Sequence, residues 1–579
     1  MCCDASAAAD VACSACILIT FLVGRWRTVR RPCIPVTEGA AMNDTNHSSP
    51  TTTAEILLGG RWQRSGAATG SFRAANPATG EPIGPHFPIS GADDVEAAVV
   101  AAQAVAAELA AAPVERIAAF LESYADALDA DADTLVALAH AETALPAPTR
   151  LRGNELPRTS GQLRQAANAV RSYSWTQPII DSAADLRSHL APLGKPVLVF
   201  GPNNFPFAFN AIAGSDFASA IAARNPVIAK AHPLHPATSQ RMAQLAHRAL
   251  VGSGLPAAAV QLLYHFDNTI GVRLAGDARL GAIGFTGSRA GGLTLKAAAD
   301  VAGVPFYAEL SSVNPVFLLP GALAERGDAL AQEFFASCTL GSGQFCTNPG
   351  VVVVPHGAAG DAFVAATRAH FEAAMPMVLF SASGVHGVQR GVADLRAAGA
   401  GMLAGGHTGE NGYRYAPTLL SVDAQAFIAN PQALQAEAFG PVSLLVRAAD
   451  VAQMAEVAAA FEGNLTGTLY RAADGSDDAA WQAIAPVLRA RVGRLINSKM
   501  PTGVVVSAAQ NHGGPFPSTG HPGFTAVGMP GAIRRFAALH SYDAVPDALL
   551  PAELRQRNPG GVARLVDGQW STADLGAGA

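Results

Sequence analysis

The chain has 579 residues and a formal net charge of −6, and half of its residues are apolar. This length allows a large core divided over two or three domains. A mildly acidic chain without a long basic block excludes the usual nucleic-acid-binding classes, so we expect no nucleic-acid partner.

Cysteine usage separates the N-terminus from the body of the chain. Five of the 7 cysteines lie in the first 33 residues, and only Cys338 and Cys346 follow. Two cysteines in a large body are not a disulfide scaffold, so we expect a reducing compartment, the cytoplasm. Cys338 is expected to be structural.

Residues 1–53 are predicted to be a non-native or disordered extension, with the true start at Met42. The apolar run ACILITFLVG is followed by its arginines, the reverse of a secretory signal. It is also shorter than the roughly 20 apolar residues of a spanning helix. No membrane association is expected, although a signal-anchor stays an alternative reading of this run.

From Ile56 the pattern predicts a short hairpin, ILLGGRWQ, and then three alanine-rich helices near 92–112, 114–129 and 131–142. A further helix near 154–174 carries Arg158 and Arg164.

After Pro192 short apolar runs alternate with helical segments. Predicted strands are PVLVFGP, PVIAK, VQLLYH, LGAIGFTG, PFYAEL and PVFLLP, with helices near 207–223, 234–252, 269–276 and from 290. This alternation predicts a parallel α/β sheet covered on both faces. A second α/β region continues through GVVVVP, PVSLLVR and GRLINSK. The Gly- and Pro-rich tail has helical patterns at 530–537 and 546–556.

Polar residues stand where the predicted strands end. Asn204 follows VLVFG, Lys230 ends PVIAK and Glu309 ends PFYAEL. Parallel sheets bind ligands at the carboxyl ends of their strands, so these side chains are candidates for one site.

Cys346 follows a glycine-rich turn that lets backbone approach a substrate carbonyl. Alone, such a cysteine is more often a buried structural residue. Combined with the strand-end residues it suggests a mechanism. Its thiolate attacks an aldehyde, Asn204 holds the oxyanion, and Glu309 activates water to hydrolyse a thioester. No metal is required. The plain alternatives are a turn-shaping Asn204, a surface Glu309 and a solvated Lys230.

Six motifs occur in the order typical of the aldehyde dehydrogenase superfamily, which the chain resembles from about residue 54 to 558. They are PNNFPFAF (202–209), VIAKAHP (227–233), GFTGS (284–288), AELSSVNPV (308–316), GSGQFCT (341–347) and EAFGPV (437–442).

The resemblance implies an α/β fold with two parallel-sheet domains and a small β oligomerisation element. It divides the chain into a cofactor-binding domain (54–308), a catalytic domain (309–505) and a C-terminal oligomerisation and tail segment (506–579). A homodimer or homotetramer is expected.

The resemblance also assigns roles. It makes Cys346 the nucleophile, Glu309 the general base and Asn204 the oxyanion-hole amide. The cofactor contacts it implies are Lys230 and Glu437 to the ribose, Gly287 and Ser288 to the phosphates, and Phe439 beside the nicotinamide.

Three departures from the family pattern bear on function. Asn203 replaces the usual tryptophan, and Ser311-Ser312 replace a Gly-Gly pair, which puts the swing of the base in doubt. Pro233 stands where NAD-preferring members often carry a glutamate. Without that carboxylate the 2′-phosphate of NADP meets less repulsion, so NADP is permitted beside NAD. Arg289 is the nearest candidate to bind the 2′-phosphate.

The same variants resemble the branch that contains α-ketoglutaric semialdehyde dehydrogenases and NADP-dependent fatty aldehyde dehydrogenases. An acidic substrate needs a cation, so we expect Arg158, or otherwise Arg164, to bind its distal carboxylate. A fatty aldehyde would instead use apolar walls such as Phe205, Phe209 and Phe345. A coenzyme A-acylating enzyme and a catalytically silent relative are the remaining alternatives.

Overall fold

The structure is a computed structural model that describes residues 53–576. The predicted extension with its Met42 start, apart from its last residue, lies outside these residues. No helix in this described range is long and apolar enough to cross a membrane.

The strands, in chain order, are Ile56–Leu58 (β1), Arg61–Gln63 (β2), Ala68–Ala75 (β3), Pro82–Ser90 (β4), Ile179–Asp181 (β5), Leu186–Pro192 (β6), Val197–Phe200 (β7), Val227–Lys230 (β8), Val260–Leu263 (β9), Ala282–Thr286 (β10), Phe306–Glu309 (β11), Val316–Leu318 (β12), Val351–Pro355 (β13), Met377–Val378 (β14), Gly401–Ala404 (β15), Arg414–Tyr415 (β16), Thr418–Asp423 (β17), Val442–Ala448 (β18), Asn464–Tyr470 (β19), Val492–Asn497 (β20), Ala537–Asp543 (β21), Arg564–Val566 (β22) and Gln569–Ser571 (β23).

The α-helices are Ala92–Ala104 (α1), Ala106–Ala110 (α2), Val114–Ala130 (α3), Ala132–Thr143 (α4), Leu156–Arg171 (α5), Ser215–Ala222 (α6), Pro236–Gly252 (α7), Asn268–Ala275 (α8), Arg289–Val301 (α9), Pro320–Thr339 (α10), Ala358–Ala373 (α11), Ala382–Ala397 (α12), Ala424–Ala429 (α13), Pro431–Leu434 (α14), Val451–Ala460 (α15) and Asp478–Arg489 (α16).

The first sheet has seven strands in the order β11-β10-β7-β8-β9-β1-β2. Strands β7 to β11 pair in parallel, whereas the hairpin β1–β2 adds to β9 antiparallel. Strands such as Val197–Phe200 carry apolar side chains on both faces of the sheet, because helices cover both faces. The parallel register brings the carboxyl ends of β7, β8, β10 and β11 to one edge, which positions the candidate site.

The second sheet also has seven strands, in the order β15-β17-β18-β13-β12-β19-β20. It is parallel except for β15. The strand PVFLLP (β12) lies here between β13 and β19 and not beside PFYAEL, its neighbour in sequence.

A five-stranded sheet, β21-β6-β5-β22-β23, joins residues 179–192 to the C-terminal segment. Its strand β21 pairs with β6 along seven residues and forms the sheet edge. Exposed apolar side chains on this sheet include Leu539 and Trp570, each 69% exposed.

Several predicted helices differ in extent. The helix expected over 207–223 begins only at Ser215, because the Asn210 side chain satisfies backbone groups of the preceding turn. The helix expected near 154–174 is α5, preceded by a π-helical stretch, Ala147–Glu155. In the tail, the patterns at 530–537 and 546–556 form short 3₁₀ turns, in keeping with their proline content.

Candidate active site

Cys346 sits on a tight turn after α10, not on a helix. Gly341, Ser342 and Gly343 all have positive φ, and a Cβ on Gly343 would lie 2.2 Å from the carbonyl oxygen of Gly440. Only glycine fits this approach. The Asn314 side chain donates to the carbonyl of Cys346 at 2.9 Å, so the loop that carries the thiol is fixed from both sides.

Asn204 follows β7 and is 5% exposed. Its Nδ2 donates to the carbonyl of Gln344 at 3.0 Å, two residues before the cysteine. A carboxamide nitrogen carries two N–H groups, so the second is available for an oxyanion formed at Cys346.

Glu309 ends β11 and meets a residue that sequence analysis did not single out, His512. The imidazole Nε2 lies 2.9 Å from Glu309 Oε1 and 3.6 Å from Cys346 Sγ. His512 is 2% exposed, and its backbone N–H donates to Thr525 Oγ1 at 2.8 Å. The predicted C-terminal oligomerisation segment therefore also supplies a side chain to the site.

Burial and neighbouring charge set the protonation of this cluster. Burial alone would raise the pKa of Glu309, but the His512 imidazole and the nearby thiol hold that pKa below its usual value. Burial, reinforced by the Glu309 charge, raises the pKa of Cys346 well above the ordinary thiol value. The resting pair is thus a carboxylate beside a protonated thiol, which is the starting state for a base-assisted nucleophile.

A cavity of about 440 Å³ opens at the carboxyl edge of the first sheet and reaches Cys346 and Glu309. Four of the five predicted cofactor residues line it: Gly287, Ser288, Glu437 and Phe439. Burial raises the pKa of Glu437 to about 7. The remaining predicted residue, Lys230, lies half-buried at the end of β8.

A second wall of the site is aromatic. Phe205 packs against Phe209 and Phe345 with ring centroids 5.1 and 5.4 Å apart. The Arg158 guanidinium lies 5.6 Å from the Phe205 ring and 5.2 Å from the Phe209 ring. Its Nε and one terminal nitrogen are buried and have no hydrogen-bond partner among the described residues.

A neighbouring arginine, Arg150, differs from Arg158 in having an anionic partner. Arg150 pairs with Glu155 at 3.1 Å and donates to the carbonyl of Asn204, also at 3.1 Å. Arg158 therefore carries the unneutralised cation of this aromatic wall. Burial lowers its pKa, and the negative charge of Glu155 opposes that shift.

Two arginines do not lie where sequence analysis expected them. The prediction of Arg164 as a carboxylate ligand is wrong: its guanidinium pairs with Asp126 and Asp129 at 2.6 and 2.8 Å on the surface. Six residues after Arg158, it points to a different face of α5. Arg289, the expected phosphate candidate, forms an ion pair with Glu462.

The fold and the chemistry of the site agree with one family. A model of the aldehyde dehydrogenase family matches residues 62–510. The chain belongs to that family. It is an NAD(P)-dependent aldehyde dehydrogenase.

Two similar relatives share most of its length. The chain is 41% identical over 538 residues to α-ketoglutaric semialdehyde dehydrogenase 2 of Azospirillum brasilense, covering 89% of this chain and 99% of that protein. It is 35% identical over 518 residues to α-ketoglutaric semialdehyde dehydrogenase of Acinetobacter baylyi, covering 87% and 97%.

The fold is shared with solved structures. A variant of aldehyde dehydrogenase C from Pseudomonas syringae, complexed with NAD+ and octanal, matches with a TM-score of 0.72 at 21% identity. The match covers 87% of this chain and 100% of that chain. The predicted family and fold class of this aldehyde dehydrogenase are therefore confirmed.

The residues present fit a nicotinamide dinucleotide. Lys230 has no carboxylate within ion-pair distance among residues 53–576, and burial lowers its pKa to about 8. This half-buried ammonium at the carboxyl end of β8 is suited to ribose hydroxyls or phosphate. Ser288 caps α9, whose N-terminus favours a phosphate group.

Proposed function

We propose that the protein oxidises α-ketoglutaric semialdehyde to 2-oxoglutarate with NAD or NADP as the cofactor. The observation that carries the substrate assignment is the Arg158 guanidinium, which contacts the Phe205 and Phe209 rings and has two buried nitrogens without a hydrogen-bond partner among the described residues. A buried arginine without an anion is costly, and a substrate carboxylate would supply that anion. The names of the two relatives described above support the same substrate.

In this proposal Glu309 first accepts the proton of the Cys346 thiol, and the thiolate attacks the aldehyde carbon. The second N–H of Asn204 and the backbone N–H of Cys346 stabilise the oxyanion that forms. A bound nicotinamide supplies the hydride acceptor. Glu309 releases its first proton to solvent through the cavity and, ionised again, takes a proton from the water that attacks the thioester carbon. The carbon–sulfur bond then breaks, which releases the acid product and leaves Cys346 as a thiolate.

His512 acts in this scheme as a positioning residue for the base. Its Nε2 lies 2.9 Å from Glu309 and 3.6 Å from the thiol, so one imidazole touches both partners of the proton transfer. A hydrogen bond to the carboxylate keeps Glu309 ionised and limits its swing. This contact holds Glu309 in one position, in keeping with the lower flexibility expected where Ser311-Ser312 replace glycines.

The cofactor contacts are proposed as Lys230 and Glu437 for the ribose, Gly287 and Ser288 for the phosphates, and Phe439 for the nicotinamide side. NADP is proposed as a substrate beside NAD because Pro233 places no carboxylate near the 2′-position. Since Glu462 neutralises Arg289, we assign the phosphate charge to Lys230 instead.

The domain division is proposed to follow the sheets, with cofactor binding by the first sheet and the nucleophile on the second.

Members of the family are commonly oligomeric, and we propose a homodimer or homotetramer built through the edge of β21. Its exposed Leu539 gives that edge an apolar contact surface. We place the enzyme in the cytoplasm, as the cysteine usage of the body indicates.

A second candidate substrate class is medium- or long-chain aldehydes. Phe205, Phe209 and Phe345 form an apolar cluster with Val527 that would suit an alkyl chain. The buried charge of Arg158 disfavours it, because an alkyl chain leaves the guanidinium unpaired.

A substrate panel tests the proposal. We would measure kcat/KM for α-ketoglutaric, glutaric and succinic semialdehydes against pentanal and decanal, with each cofactor and with or without coenzyme A. The proposal predicts the highest kcat/KM for α-ketoglutaric semialdehyde and no effect of coenzyme A. Preference for decanal would contradict the substrate assignment, and a requirement for coenzyme A would contradict the role of Glu309.

A further inference from the structure

Cys346, Glu309 and His512 bring three kinds of metal ligand together. One sulfur, one carboxylate oxygen and one imidazole nitrogen all lie within 4.8 Å of one another. The other carboxylate oxygen, Glu309 Oε2, is buried and has no hydrogen-bond partner among the described residues. The cluster therefore holds an unused buried acceptor in addition to its three converging atoms.

Two of the three ligand spacings are close to those of tetrahedral zinc, and the third, between sulfur and oxygen, is below 4.8 Å. Zinc bonds of about 2.3 Å to sulfur and 2.0–2.1 Å to nitrogen and oxygen set the sulfur and nitrogen about 3.6 Å apart, and nitrogen and oxygen about 3.3 Å apart. The observed Sγ–Nε2 distance is 3.6 Å. The observed Nε2–Oε1 distance is 2.9 Å, because these two atoms form a hydrogen bond that a metal would replace. The two atoms need to separate by only a few tenths of an ångström to reach the zinc spacing.

Charge also fits. A thiolate and a carboxylate together neutralise one divalent cation, which favours a buried complex. Binding releases the thiol proton to solvent, and the imidazole proton moves from Nε2 to Nδ1, so affinity rises with pH. Thiolate and imidazole select zinc and other first-row transition metals over magnesium and calcium, which prefer oxygen.

We propose that zinc binds these three side chains and inhibits the enzyme reversibly. The metal takes the thiolate that would attack the aldehyde and the carboxylate that would activate water. Its fourth position faces the cavity that Cys346 and Glu309 line, which gives the ion an entry path. The site is an inhibitory one and goes beyond the proposed reaction, which uses no metal.

Cobalt(II) spectroscopy on the full chain tests the site without turnover. We expect cobalt to produce a thiolate charge-transfer band that zinc abolishes and that Cys346→Ser lacks. The difference between wild type and Cys346→Ser isolates this sulfur from the cysteines of the first 33 residues and from buried Cys338. Zinc should also protect Cys346 from iodoacetamide, as read by peptide mapping.

His512→Asn tests the chelate. Loss of one of three ligands should weaken cobalt and zinc binding by at least about 10- to 100-fold, the effect typical even of outer-shell partners. His521→Asn is the matched control, because His521 is a half-buried histidine of the same segment outside the cluster, and metal affinity should not change. Absence of the band, or equal affinity in His512→Asn and wild type, would overturn the proposal. Neither readout depends on the identity of the aldehyde.

Discussion

Replacing Arg158 with methionine removes the proposed carboxylate ligand but keeps an apolar chain against Phe205 and Phe209. Two guanidinium nitrogens, Nε and one terminal nitrogen, have no hydrogen-bond partner among residues 53–576, and each can donate to a substrate carboxylate. Hydrogen bonds to charged groups contribute about 1.5–3 kcal/mol each. Because the side chain is half-buried and water screens part of this interaction, we expect a loss of about 2–4 kcal/mol, or about 30- to 1000-fold in kcat/KM, for α-ketoglutaric semialdehyde.

The assay compares this substrate with pentanal, a neutral aldehyde of the same chain length. Arg158→Met should leave kcat/KM for pentanal unchanged or higher, since a buried charge is removed. Arg164→Met is the matched control on the same helix, because its exposed ion pairs with Asp126 and Asp129 contribute only about 0–1 kcal/mol to stability. An equal loss on both aldehydes in Arg158→Met would refute the carboxylate-clamp reasoning and leave Arg158 a structural residue.

Three further changes probe the site. His512→Asn removes the contact that lowers the pKa of Glu309, so the acid limb of kcat/KM should move to higher pH; an unchanged profile would show that the imidazole does not act on the base. Gly343→Ala should lower the free energy of unfolding by more than about 1 kcal/mol, as measured by thermal unfolding. Gly161→Ala, inside α5, should not, because an added Cβ there meets open space. Equal effects of the two changes would contradict the crowding around Gly343. Pro233→Glu should lower kcat/KM for NADP at least tenfold more than for NAD, and equal losses would remove its role in cofactor choice (a tenfold ratio is about 1.4 kcal/mol).

The sheet could be predicted because each strand is a short apolar run followed by a polar residue. Parallel pairing then places Asn204, Lys230 and Glu309 at one edge by geometry alone. The order of β12 could not be predicted in the same way. Its apolar sequence pairs equally well with either sheet, and only the tertiary contacts place it beside β13.

His512 illustrates what the sequence does not reveal about the site. It lies 166 residues after Cys346, in a Gly- and Pro-rich stretch without a preceding strand. Its position depends on how the tail folds back over β11, where Thr519 bridges to Glu309. A lone histidine in such a segment carries no periodic signal.

For Arg158 and Arg164 the helix was predicted, but the sequence did not show which of its side chains faces the aromatic wall. Both lie on α5, and helical spacing alone separates their directions. Which face meets the aromatic wall depends on the packing of α5 against α3 and α6. Asp126 and Asp129 of α3 capture the second arginine on the surface.

The central claim is that the Cys346 thiol forms a covalent acyl intermediate that Glu309 resolves. Wild-type enzyme mixed with α-ketoglutaric semialdehyde and NAD or NADP, quenched in acid within the first turnover, should carry the acyl group, whereas Glu309→Gln, which lacks the base for both proton transfers, should form it far more slowly. Intact mass and peptide mapping should show that an acyl group, with the mass of the aldehyde less one hydrogen, has replaced the thiol hydrogen of Cys346. One equivalent of reduced cofactor should form per site. Reduced cofactor without an adduct, or an adduct on another residue, would contradict the account.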